Sequence, residues 1–361
     1  MTRLRHVTDR GFLRPDDTPE GSVVSAFRVP PEMAGRRLDV FLQGELRRTS
    51  RTRAQFIVRA SAYDERGKRL RPNYRVKSGE LVLLWRAPWD EEPVPTEIPV
   101  VYEDEHLLAI DKPALLPVHP TARYHRNTVI RLLKDARPGA FLSLGHRIDR
   151  ETSGVLLLAK SPECDRSLKM QLEAREGVDK GYLAIAWGEP DPARADAQSG
   201  VATPCVTDDG REGFRYARSL ELDPEHGTGV KMRLGRSERA LAAATRFTVL
   251  ERRTRDSRAY TLIRCDLETG RQHQIRIHLA SLGAPIVGDK LYGPDEGCFT
   301  RGADGELTED DLELLELPRH ALHAARMSLA HPVTGAPLVV EASLPPDLQA
   351  FWDDLDRVDA R

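Results

Sequence analysis

Apolar residues recur every three or four positions in the segment GRRLDVFLQGELRRTSRTRAQFIVRA, which begins at Gly35. This spacing predicts two short amphipathic helices, and Thr49 or Ser50 is placed to cap the second one. A polar turn around Gly67 follows, and the run LVLLW further on has the composition of a β-strand. Two helices and a small hairpin sheet therefore predict a compact α/β module at residues 31–88.

The segments on either side of this module lack regular patterning. Residues 1–30 show no sustained periodicity, and the PDDTPEGS stretch within them predicts a flexible leader. The segment APWDEEPVPTEIP contains four prolines, which disfavour regular structure and predict a linker at residues 89–97. A chain of 361 residues has room for a second, larger domain, which we place at residues 98–350, with a tail at 351–361.

Short apolar runs and amphipathic segments follow one another in the larger domain without a regular strand–helix repeat. The runs IPVVY and LLAI predict a hairpin, and GVLLLAK, GYLAIAWG, RFTVLER, AYTLIRCDLE and APLVVEASL predict further strands. Helices are predicted after Asn127 as an N-cap, after Ser161, and across HQIRIHLASLG up to Gly283. This order predicts an α+β fold with a largely antiparallel mixed sheet flanked by helices and loops.

Two polar stretches interrupt that pattern. Residues 191–240 are polar and irregular, which predicts an insertion or a long loop. Residues 295–317 hold nine Asp and Glu against one Arg, which predicts a solvated surface insertion.

Positive charge is concentrated in the small module, although the whole chain carries a formal net charge of −2. Residues 34–90 hold fourteen Arg and Lys against six Asp and Glu. Such a local excess is typical of a surface that contacts phosphate. The candidate phosphate contacts are Arg47, Arg48, Arg51, Arg53, Lys68, Arg69, Arg71 and Arg75.

Composition disfavours several other classes of protein. No apolar run is long enough to cross a bilayer, and the first residues lack the apolar core of a secretory signal, so we expect a cytoplasmic protein that is not in a membrane. The four cysteines lie tens of residues apart without a C-x-x-C pair. They indicate reduced thiols rather than a zinc knuckle or a disulfide framework.

Three motifs, each several residues long, occur in the larger domain. The first, GHRIDRETSG from Gly145 to Gly154, leads into the apolar run VLLLAK. The second is KGYLA, which begins at Lys180, and the third is TGRQHQIRIH, which begins at Thr269. In the same order, they resemble the H-R-L-D-x-x-T-S-G, K-x-Y-x-A and T-G-R-x-H-Q-I-R-x-H motifs of the RluA/RluD-type pseudouridine synthases, with Ile148 in place of Leu.

The resemblance covers residues 97–348, with IDKPALLPVHP, GAPIVGDKLYG and ALHAARMSLAHPVTG as further landmarks. The basic module is similar to the S4-type RNA-binding domain that often precedes this catalytic domain, with AYDERG in place of the usual V-N-G turn. The family resemblance implies an isomerase that detaches uracil from its ribose in RNA and rejoins it through carbon 5. It implies RNA as the partner and no metal, nucleotide or other cofactor. Ribosomal RNA is favoured as the substrate, and transfer RNA stays open as the alternative.

The chemistry of this reaction explains the residue types that the motifs carry. Breaking the bond between C1′ and N1 develops positive charge on the ribose or needs a nucleophile, and one carboxylate serves either purpose. The resemblance assigns that role to Asp149 and leaves open whether it attacks, stabilises or assists deprotonation. It assigns to Arg276 the cation that keeps a buried carboxylate ionised, and to Tyr182 a ring on which the extruded uracil stacks. Arg147 is a candidate RNA contact near the flipped nucleotide or a member of an internal ion pair.

Metal-dependent and serine-dependent chemistry are less well supported by the same residues. The histidine pairs at 273/278 and 320/323 stand outside an H-E-x-x-H motif and have no evident third ligand. Ser153 lacks the G-x-S-x-G context of a hydrolase nucleophile.

Hydrolysis of a glycosidic bond and RNA binding without turnover both stay open as functions. Glu151 and Asp149 are a conceivable pair of glycosidase carboxylates, but their closeness in sequence does not place them on opposed faces of a bond. An RNA-binding protein could have the fold but not the turnover, which an intact set of motif residues disfavours.

Overall fold

The structure is a computed structural model that describes residues 11–46, 49–121, 123–197, 200–207, 210–226 and 229–357. It divides the chain into two compact units, residues 1–91 and 92–361. The division falls within the proline-rich segment that we predicted as a linker. Of the helices in the described ranges, none is long and apolar enough to cross a membrane.

The N-terminal unit combines two helices with a three-stranded antiparallel sheet of order β1-β3-β2. Its elements are β1 (Val23–Arg28), α1 (Leu38–Glu45), α2 (Arg51–Ser61), β2 (Ala62–Tyr63) and β3 (Leu81–Arg86). Leu38, Phe41 and Leu42 of α1 form a buried cluster with Val58 of α2 and Val82 of β3. The two predicted amphipathic helices and the predicted LVLLW strand are confirmed.

The predicted flexible leader at residues 1–30 is wrong for the part that the structure describes. Strand β1 lies within it and pairs along its whole length with β3. Further upstream, the buried hydroxyl of Thr18 donates to the Pro15 carbonyl at 2.7 Å, and the hydroxyl of Tyr63 donates to Asp17 at 3.1 Å. The sequence VVSAFR has no pronounced alternation of its own, so pairing with β3 rather than local pattern determines its structure.

The C-terminal unit is built on one large sheet. Its strands are β4 (Val100–Glu103), β5 (Leu107–Lys112), β6 (Ser143–Leu144), β7 (Ser153–Ala159), β8 (Asp179–Trp187), β9 (Val201–Val206), β10 (Glu212–Ala217), β11 (Leu220–Leu222), β12 (Met232–Leu234), β13 (Ala244–Arg255), β14 (Arg258–Leu267), β15 (Leu322–Ala330), β16 (Pro337–Glu341) and β17 (Asp356–Arg357). Its helices are α3 (Val129–Ala136), α4 (Pro162–Ala174), α5 (Arg194–Ala197), α6 (Gln274–Ser281), α7 (Gly297–Asp304), α8 (Glu309–Leu315) and α9 (Pro346–Asp353).

Twelve of these strands form a single sheet, whose main path runs β4-β5-β7-β15-β8-β14-β13-β10-β9. Strands β6, β16 and β17 attach to β7, β15 and β13, while β11 and β12 form a separate ribbon. The pair β7–β15 is parallel, and the other pairs within the described residues are antiparallel. The predicted α+β fold with a largely antiparallel mixed sheet is therefore confirmed.

The parallel pair requires a glycine where the first motif enters the sheet. A Cβ atom on Gly154 of β7 would lie 2.2 Å from the carbonyl oxygen of Ala324 on β15, and the φ angle of Gly154 is +109°. Any side chain at this position would force the two strands apart. The glycine of the T-S-G sequence thus has a packing role rather than a chemical one.

Two of the three predicted helix caps are confirmed. Ser50 accepts a hydrogen bond from the first turn of α2, and Ser161 does the same for α4. The third prediction, Asn127, is wrong because Thr128 occupies the N-cap position of α3. The Asn127 amide instead donates to the Glu92 carbonyl at 2.8 Å, so a tertiary contact replaces the expected local one.

Of the two alternatives predicted for residues 191–240, the long loop is wrong, because about half of the described residues lie in α5, β9, β10, β11 and β12. Strands β9 and β10 extend the main sheet at one edge, and β11 and β12 pair with each other. These strands are short, and most of their side chains are half-buried or exposed. An edge strand of this kind has no continuous apolar face, and its sequence therefore looks like a loop.

The acidic stretch at residues 295–317 folds into α7 and α8, and most of its side chains are half-buried or exposed, as the prediction of a solvated surface segment requires. Arg301 joins the two helices by donating to Asp295 and Asp311, at 2.6 Å each. Cys298 lies beside the same two carboxylates, in a group whose potential ligand atoms are within 4.8 Å of one another. The guanidinium of Arg301 supplies the positive charge at this cluster.

The predicted tail at residues 351–361 is wrong as far as residue 357. Helix α9 continues through Asp353, and β17 pairs with β13. Phe351 and Trp352 are buried in the core cluster that includes β8. The guanidinium of Arg253 lies 5.0 Å from the centroid of the Trp352 ring, which adds a cation–π contact.

Replacing Trp352 with Ala tests whether this C-terminal segment belongs to the core. We expect the free energy of unfolding to fall by about 3–5 kcal/mol, because the truncated aromatic leaves a cavity. Guanidinium chloride unfolding measures the change. Gln349→Ala, at an exposed position of the same helix, is the control and should alter stability by less than about 0.5 kcal/mol. Equal stabilities of the two variants would contradict the assignment.

Candidate active site

The loop between β6 and β7 carries Asp149 and is held by main-chain contacts on two sides. The N–H of Thr152 donates to the Asp149 carbonyl at 3.2 Å, which closes a turn. Lys112, fully buried at the end of β5, donates to three main-chain carbonyls, among them that of Arg150 at 3.1 Å. A buried ammonium with three acceptors restrains the loop directly after the carboxylate residue.

Glu151 anchors the same loop from within the protein. Its Oε1 accepts from the ammonium of Lys290 at 2.8 Å, and its Oε2 accepts from the N–H of His320 at 3.2 Å. The buried hydroxyl of Thr152 lies 2.8 Å from Nε2 of His320. Glu151 is therefore occupied by structural contacts, and the geometry gives no support to a glycosidase pair with Asp149.

Arg276 connects two carboxylates at the centre of the site. Its buried guanidinium donates from Nη1 to Oδ2 of Asp149 at 3.0 Å, and from Nε and Nη2 to the two oxygens of Asp289 at 2.7 Å each. Asp289 is fully buried and also accepts from the N–H groups of Leu291 and Tyr292, at 2.9 and 3.0 Å. The bidentate pair fixes the plane of the guanidinium, which aims Nη1 at Asp149.

The electrostatic environment favours the ionised form of Asp149. Burial alone would raise its pKa, but the charges of His273, Arg276 and His320 outweigh burial, so the pKa lies below the ordinary aspartate value. Burial, helped by the charge of Arg276, lowers the pKa of each histidine to about 4. At neutral pH, the cation that holds Asp149 ionised is therefore chiefly Arg276.

The two oxygens of Asp149 have different surroundings. Both Arg276 and His273 approach Oδ2, at 3.0 and 3.8 Å. Within the described ranges, Oδ1 has no hydrogen-bond partner. The side chain is 32% exposed, whereas that of Arg276 is 7% exposed. One oxygen is thus held by the protein, while the other is free to meet a ligand.

His273 and Tyr292 form a second connection to Asp149. His273 precedes α6 with a left-handed φ of +57°. Its Nδ1 lies 2.9 Å from the Tyr292 hydroxyl oxygen, which accepts the N–H of Met232 in β12 at 2.8 Å. The guanidinium of Arg276 lies 5.1 Å from the centroid of the Tyr292 ring. Met232, which lies in the segment 191–240, therefore supports the site through Tyr292.

Tyr182 belongs to the same site and stands on β8. The side chain is 8% exposed, and Ile148, next to Asp149, packs against the cluster that contains it. Burial, together with the charge of Asp149, raises the pKa of its hydroxyl, which is neutral at physiological pH. The structure thus brings together Asp149, Tyr182 and Arg276, which the sequence predicts as partners. Their catalytic roles remain proposals.

Sequence reasoning gave no role to Asp289 or Tyr292 and considered His273 only as a metal ligand. The available signal was the landmark GAPIVGDKLYG, which contains both Asp289 and Tyr292. Two charged residues and an aromatic side chain in a landmark that is otherwise small and apolar suggest contacts with another segment. Only the tertiary structure shows that this segment is the start of α6.

Two further histidines, His278 and His323, are engaged in hydrogen bonds on both ring nitrogens. His278 bonds to the Thr245 hydroxyl and to a main-chain carbonyl, at 3.0 Å each. His323 bonds to the Ser153 hydroxyl at 2.9 Å and to the Ala342 carbonyl at 3.0 Å. Ser153 is 2% exposed, which leaves a substrate no path to its hydroxyl. These hydrogen bonds give the two histidines and Ser153 a structural role.

Two of the predicted phosphate contacts have an acidic partner within the N-terminal unit. Arg51 pairs with the buried carboxylate of Asp39 at 3.4 Å, and Arg69 pairs with Asp17 at 2.9 Å. Their charges contribute less to an external phosphate than the sequence suggests. The predicted contacts Arg47 and Arg48 lie outside the described residues.

The other predicted contacts in this unit have no acidic partner in the part of the chain that the structure describes. The guanidinium of Arg53 lies 5.3 Å from the centroid of the exposed Phe56 ring. Arg75 donates to a main-chain carbonyl at 3.1 Å. Lys68 and Arg71 are exposed. These four cations are the ones that can still meet phosphate.

An open pocket of about 420 Å³ lies on the surface of the same unit. Its lining residues are Arg37, Gln55, Arg59, Arg71, Pro72 and Asn73. Arg37 is held by a bidentate pair with Asp39 at 2.9 Å. Arg59 and Arg71 thus face the pocket with no ion-pair partner among the described residues. Arg59 was not among the predicted contacts.

Arg147, beside the Asp149 loop, is exposed, and its Nη1 lies 3.0 Å from Nε2 of His119. It has no acidic partner within the described ranges. The structure therefore gives no support to an internal ion pair at Arg147.

Comparisons with known proteins agree with the motifs. Residues 106–281 match the family model described as RNA pseudouridylate synthase. The chain is 34% identical to Ribosomal large subunit pseudouridine synthase D of Xanthomonas campestris pv. campestris, over 92% of this chain and 93% of that protein. It is 33% identical to Ribosomal large subunit pseudouridine synthase C of Escherichia coli K12, over 91% of this chain and 94% of that protein.

A solved structure shares the fold. Human RNA Pseudouridylate Synthase Domain Containing 1 has a TM-score of 0.50 and 20% identity, over 74% of this chain and 100% of that chain. Fold and sequence similarity together define an isomerase that acts on RNA. The chain belongs to the RNA pseudouridylate synthase family, which confirms the resemblance to the RluA/RluD-type enzymes.

Replacing Asp289 with Asn tests the support of Arg276. We expect the free energy of unfolding at pH 7 to fall by roughly 3–5 kcal/mol, because a buried guanidinium loses its bidentate counter-ion. The pKa of Asp289 is depressed in the folded protein. The stabilisation that the ionised Asp289 contributes is therefore complete at pH values above the ordinary aspartate pKa of about 3.9. It is lost as the pH falls towards the pKa of Asp289 in the folded protein.

Urea unfolding of wild type and Asp289→Asn at pH 7 and pH 3 checks this expectation. The advantage of wild type should be smaller at pH 3. Asp135→Asn removes an exposed ion pair with Arg131 and is the control, with an expected change of less than about 1 kcal/mol at either pH. A wild-type advantage that is equal at the two pH values would contradict the proposed support.

Proposed function

We propose that this enzyme isomerises uridine in ribosomal RNA, with Asp149 as its catalytic carboxylate. Ribosomal RNA is supported by relatives at 33% and 34% identity that span more than nine-tenths of the chain and carry large-subunit names. A cytoplasmic location, where ribosomes are found, belongs to the same proposal. Transfer RNA is the substrate class against which ribosomal RNA has to be compared.

The unequal environment of the two Asp149 oxygens carries the catalytic proposal. Oδ2 accepts from Arg276 at 3.0 Å, which favours the ionised state. Oδ1 has no partner in the described part of the chain, and the side chain is partly exposed. An ionised carboxylate with one free oxygen is suited to approach the electron-poor C1′ atom of a ribose.

In the proposed reaction, the bond between C1′ and N1 breaks, the uracil turns within the site, and a bond forms between C1′ and C5. C5 loses its proton and N1 gains one, so atoms and electrons balance without an oxidant or a water molecule. Oδ1 of Asp149 attacks or stabilises C1′, or assists removal of the proton. The Tyr182 ring holds the detached base by stacking, and Arg276 keeps Asp149 ionised.

RNA binding is proposed for two surfaces. Arg147 is exposed next to the Asp149 loop, where it can contact the backbone beside a flipped nucleotide. The N-terminal unit is proposed as an S4-type module that contacts phosphate. Of its predicted cations, Arg71 lines the open pocket together with the newly identified Arg59. Two guanidinium groups that have no ion-pair partner among the described residues and face one pocket form an anion site suited to a phosphodiester.

Asp149→Asn should abolish turnover while preserving shape, because the amide cannot supply a negative charge. The assay uses RNA whose uridines carry tritium at C5, since joining C5 to C1′ expels this hydrogen into water. We expect release by wild type and by Asp135→Asn, and a loss of at least about a hundredfold in Asp149→Asn. Tritium release at the wild-type rate by a folded Asp149→Asn would refute the catalytic role.

Substrate class is read from the same assay with ribosomal and transfer RNA transcripts offered separately. We expect release from ribosomal RNA. Release from transfer RNA alone would assign the enzyme to the other substrate class, and release from neither RNA would point to an RNA-binding protein without turnover.

The double variant Arg59→Ala/Arg71→Ala tests the pocket. Each phosphate contact steepens the dependence of binding on salt, so loss of two should reduce the slope of log K against log salt by roughly two. Filter binding to ribosomal RNA between low and moderate salt measures this slope. Arg66→Ala/Lys77→Ala removes the same charge at exposed positions outside the pocket. Equal slopes for the two double variants would exclude the pocket as the phosphate site.

A further inference from the structure

Three groups link strand β12 to the catalytic carboxylate. The N–H of Met232 donates to the Tyr292 hydroxyl oxygen at 2.8 Å, and this oxygen lies 2.9 Å from Nδ1 of His273. On the opposite side of the imidazole ring, Nε2 of His273 lies 3.8 Å from Oδ2 of Asp149. The site therefore holds a second nitrogen, besides that of Arg276, that faces the same carboxylate oxygen.

The hydroxyl proton of Tyr292 determines which ring nitrogen of His273 carries a hydrogen. The hydroxyl oxygen already accepts from Met232, and Nδ1 of His273 is the acceptor available to its proton among the described residues. If Nδ1 accepts, the neutral imidazole carries its hydrogen on Nε2. That hydrogen points to the side of the ring on which Asp149 lies.

The surroundings of His273 keep it neutral. The charged or titratable groups that face it are Arg276 of α6, Asp289 and Tyr292 of the following segment, and Asp149 of the loop after β6. Burial and the charge of Arg276 lower its pKa to about 4, against the opposite effect of the two carboxylates. Its left-handed φ is unfavourable for a residue with a side chain. Such strain persists where the surrounding contacts fix the residue in place.

We propose that His273 is a positioning residue of the isomerase, whose neutral Nε2–H, fixed by Tyr292, restrains Oδ2 of Asp149 beside Arg276 and leaves Oδ1 to face the ribose. The gap of 3.8 Å is longer than a hydrogen bond, and substrate binding closes it. A neutral donor orients the carboxylate without a second positive charge that would reduce its reactivity. This inference rests on the proposed role of Asp149.

Paired substitutions at His273 separate a donor from a packing role. His273→Ala and His273→Gln share the cost of the left-handed backbone, and the Gln amide can supply an N–H close to the Nε2 position. In single-turnover tritium release at saturating enzyme, Ala should slow the reaction at least about tenfold, equivalent to about 1.4 kcal/mol. Gln should recover most of that loss. His106→Gln, remote in the β4–β5 hairpin, is the matched control and should react at the wild-type rate.

Tyr292→Phe tests how the tautomer is fixed. The variant keeps an aromatic ring beside Arg276 and removes the hydroxyl that bonds Nδ1. A donor to Nδ1 favours the neutral ring, so the pKa of His273 should rise when this bond is lost, and the acid limb of the rate–pH profile should move to higher pH. His273→Gln has no imidazole to titrate and should lack that movement. A purely structural role would lower the rate by one factor at every pH.

The outcomes distinguish this inference from the proposed function. If wild type releases no tritium from any RNA, the proposed function fails, and the inference fails with it. If wild type is active and His273→Ala reacts at a similar rate, the inference alone is overturned. It is also overturned if Ala and Gln are equally slow while the acid limb of Tyr292→Phe stays in place. The inference is supported if His273→Gln recovers most of the rate and the acid limb of Tyr292→Phe moves to higher pH.

Discussion

The site depends on a buried guanidinium with a carboxylate on each side. Arg276 is 7% exposed and is held in a bidentate pair by the fully buried Asp289. A buried charge of this kind is tolerated only when its partners are fixed, and two main-chain N–H groups fix Asp289 in turn. The third donor of Arg276 then defines where Oδ2 of Asp149 lies. Helix α6, the segment after it and the loop before β7 must therefore fold together before an ionised carboxylate can exist in a half-buried position.

The sequence predicted the parts of this site that stand in contiguous motifs, and missed those that depend on tertiary contacts. Asp149, Tyr182 and Arg276 were found because each belongs to a motif of several residues in family order. Asp289 and Tyr292 act through contacts with α6, which no local pattern reveals. The fold shows the same division. Buried strands such as β7 and β8 have strong apolar runs, whereas β1, β9 and β10 are half-buried or exposed strands whose structure comes from their neighbours.

Charge in the N-terminal unit shows why a count of basic residues does not locate a phosphate site. The excess of Arg and Lys in the sequence is real, but Asp39 pairs with both Arg37 and Arg51, and Asp17 pairs with Arg69, within the folded unit. The cations left facing the open pocket include Arg59, which no motif singled out. The folded geometry decides which basic side chains form ion pairs within the protein. Only basic side chains outside such pairs are available to bind phosphate and release counter-ions from RNA.

The most direct test of the central claim is the titration of the Asp149 carboxyl carbon, followed by NMR in protein with carbon-13 in its aspartate carboxyls. Asp149→Asn assigns the signal by its disappearance. If Arg276 holds the carboxylate ionised, the signal should stay unchanged from pH 8 down to about pH 4, where an ordinary aspartate of pKa about 3.9 is already partly protonated. In Arg276→Met, the midpoint should move to higher pH. A wild-type signal that titrates above pH 5 would contradict the account, because the carboxylate would then be governed by burial rather than by Arg276.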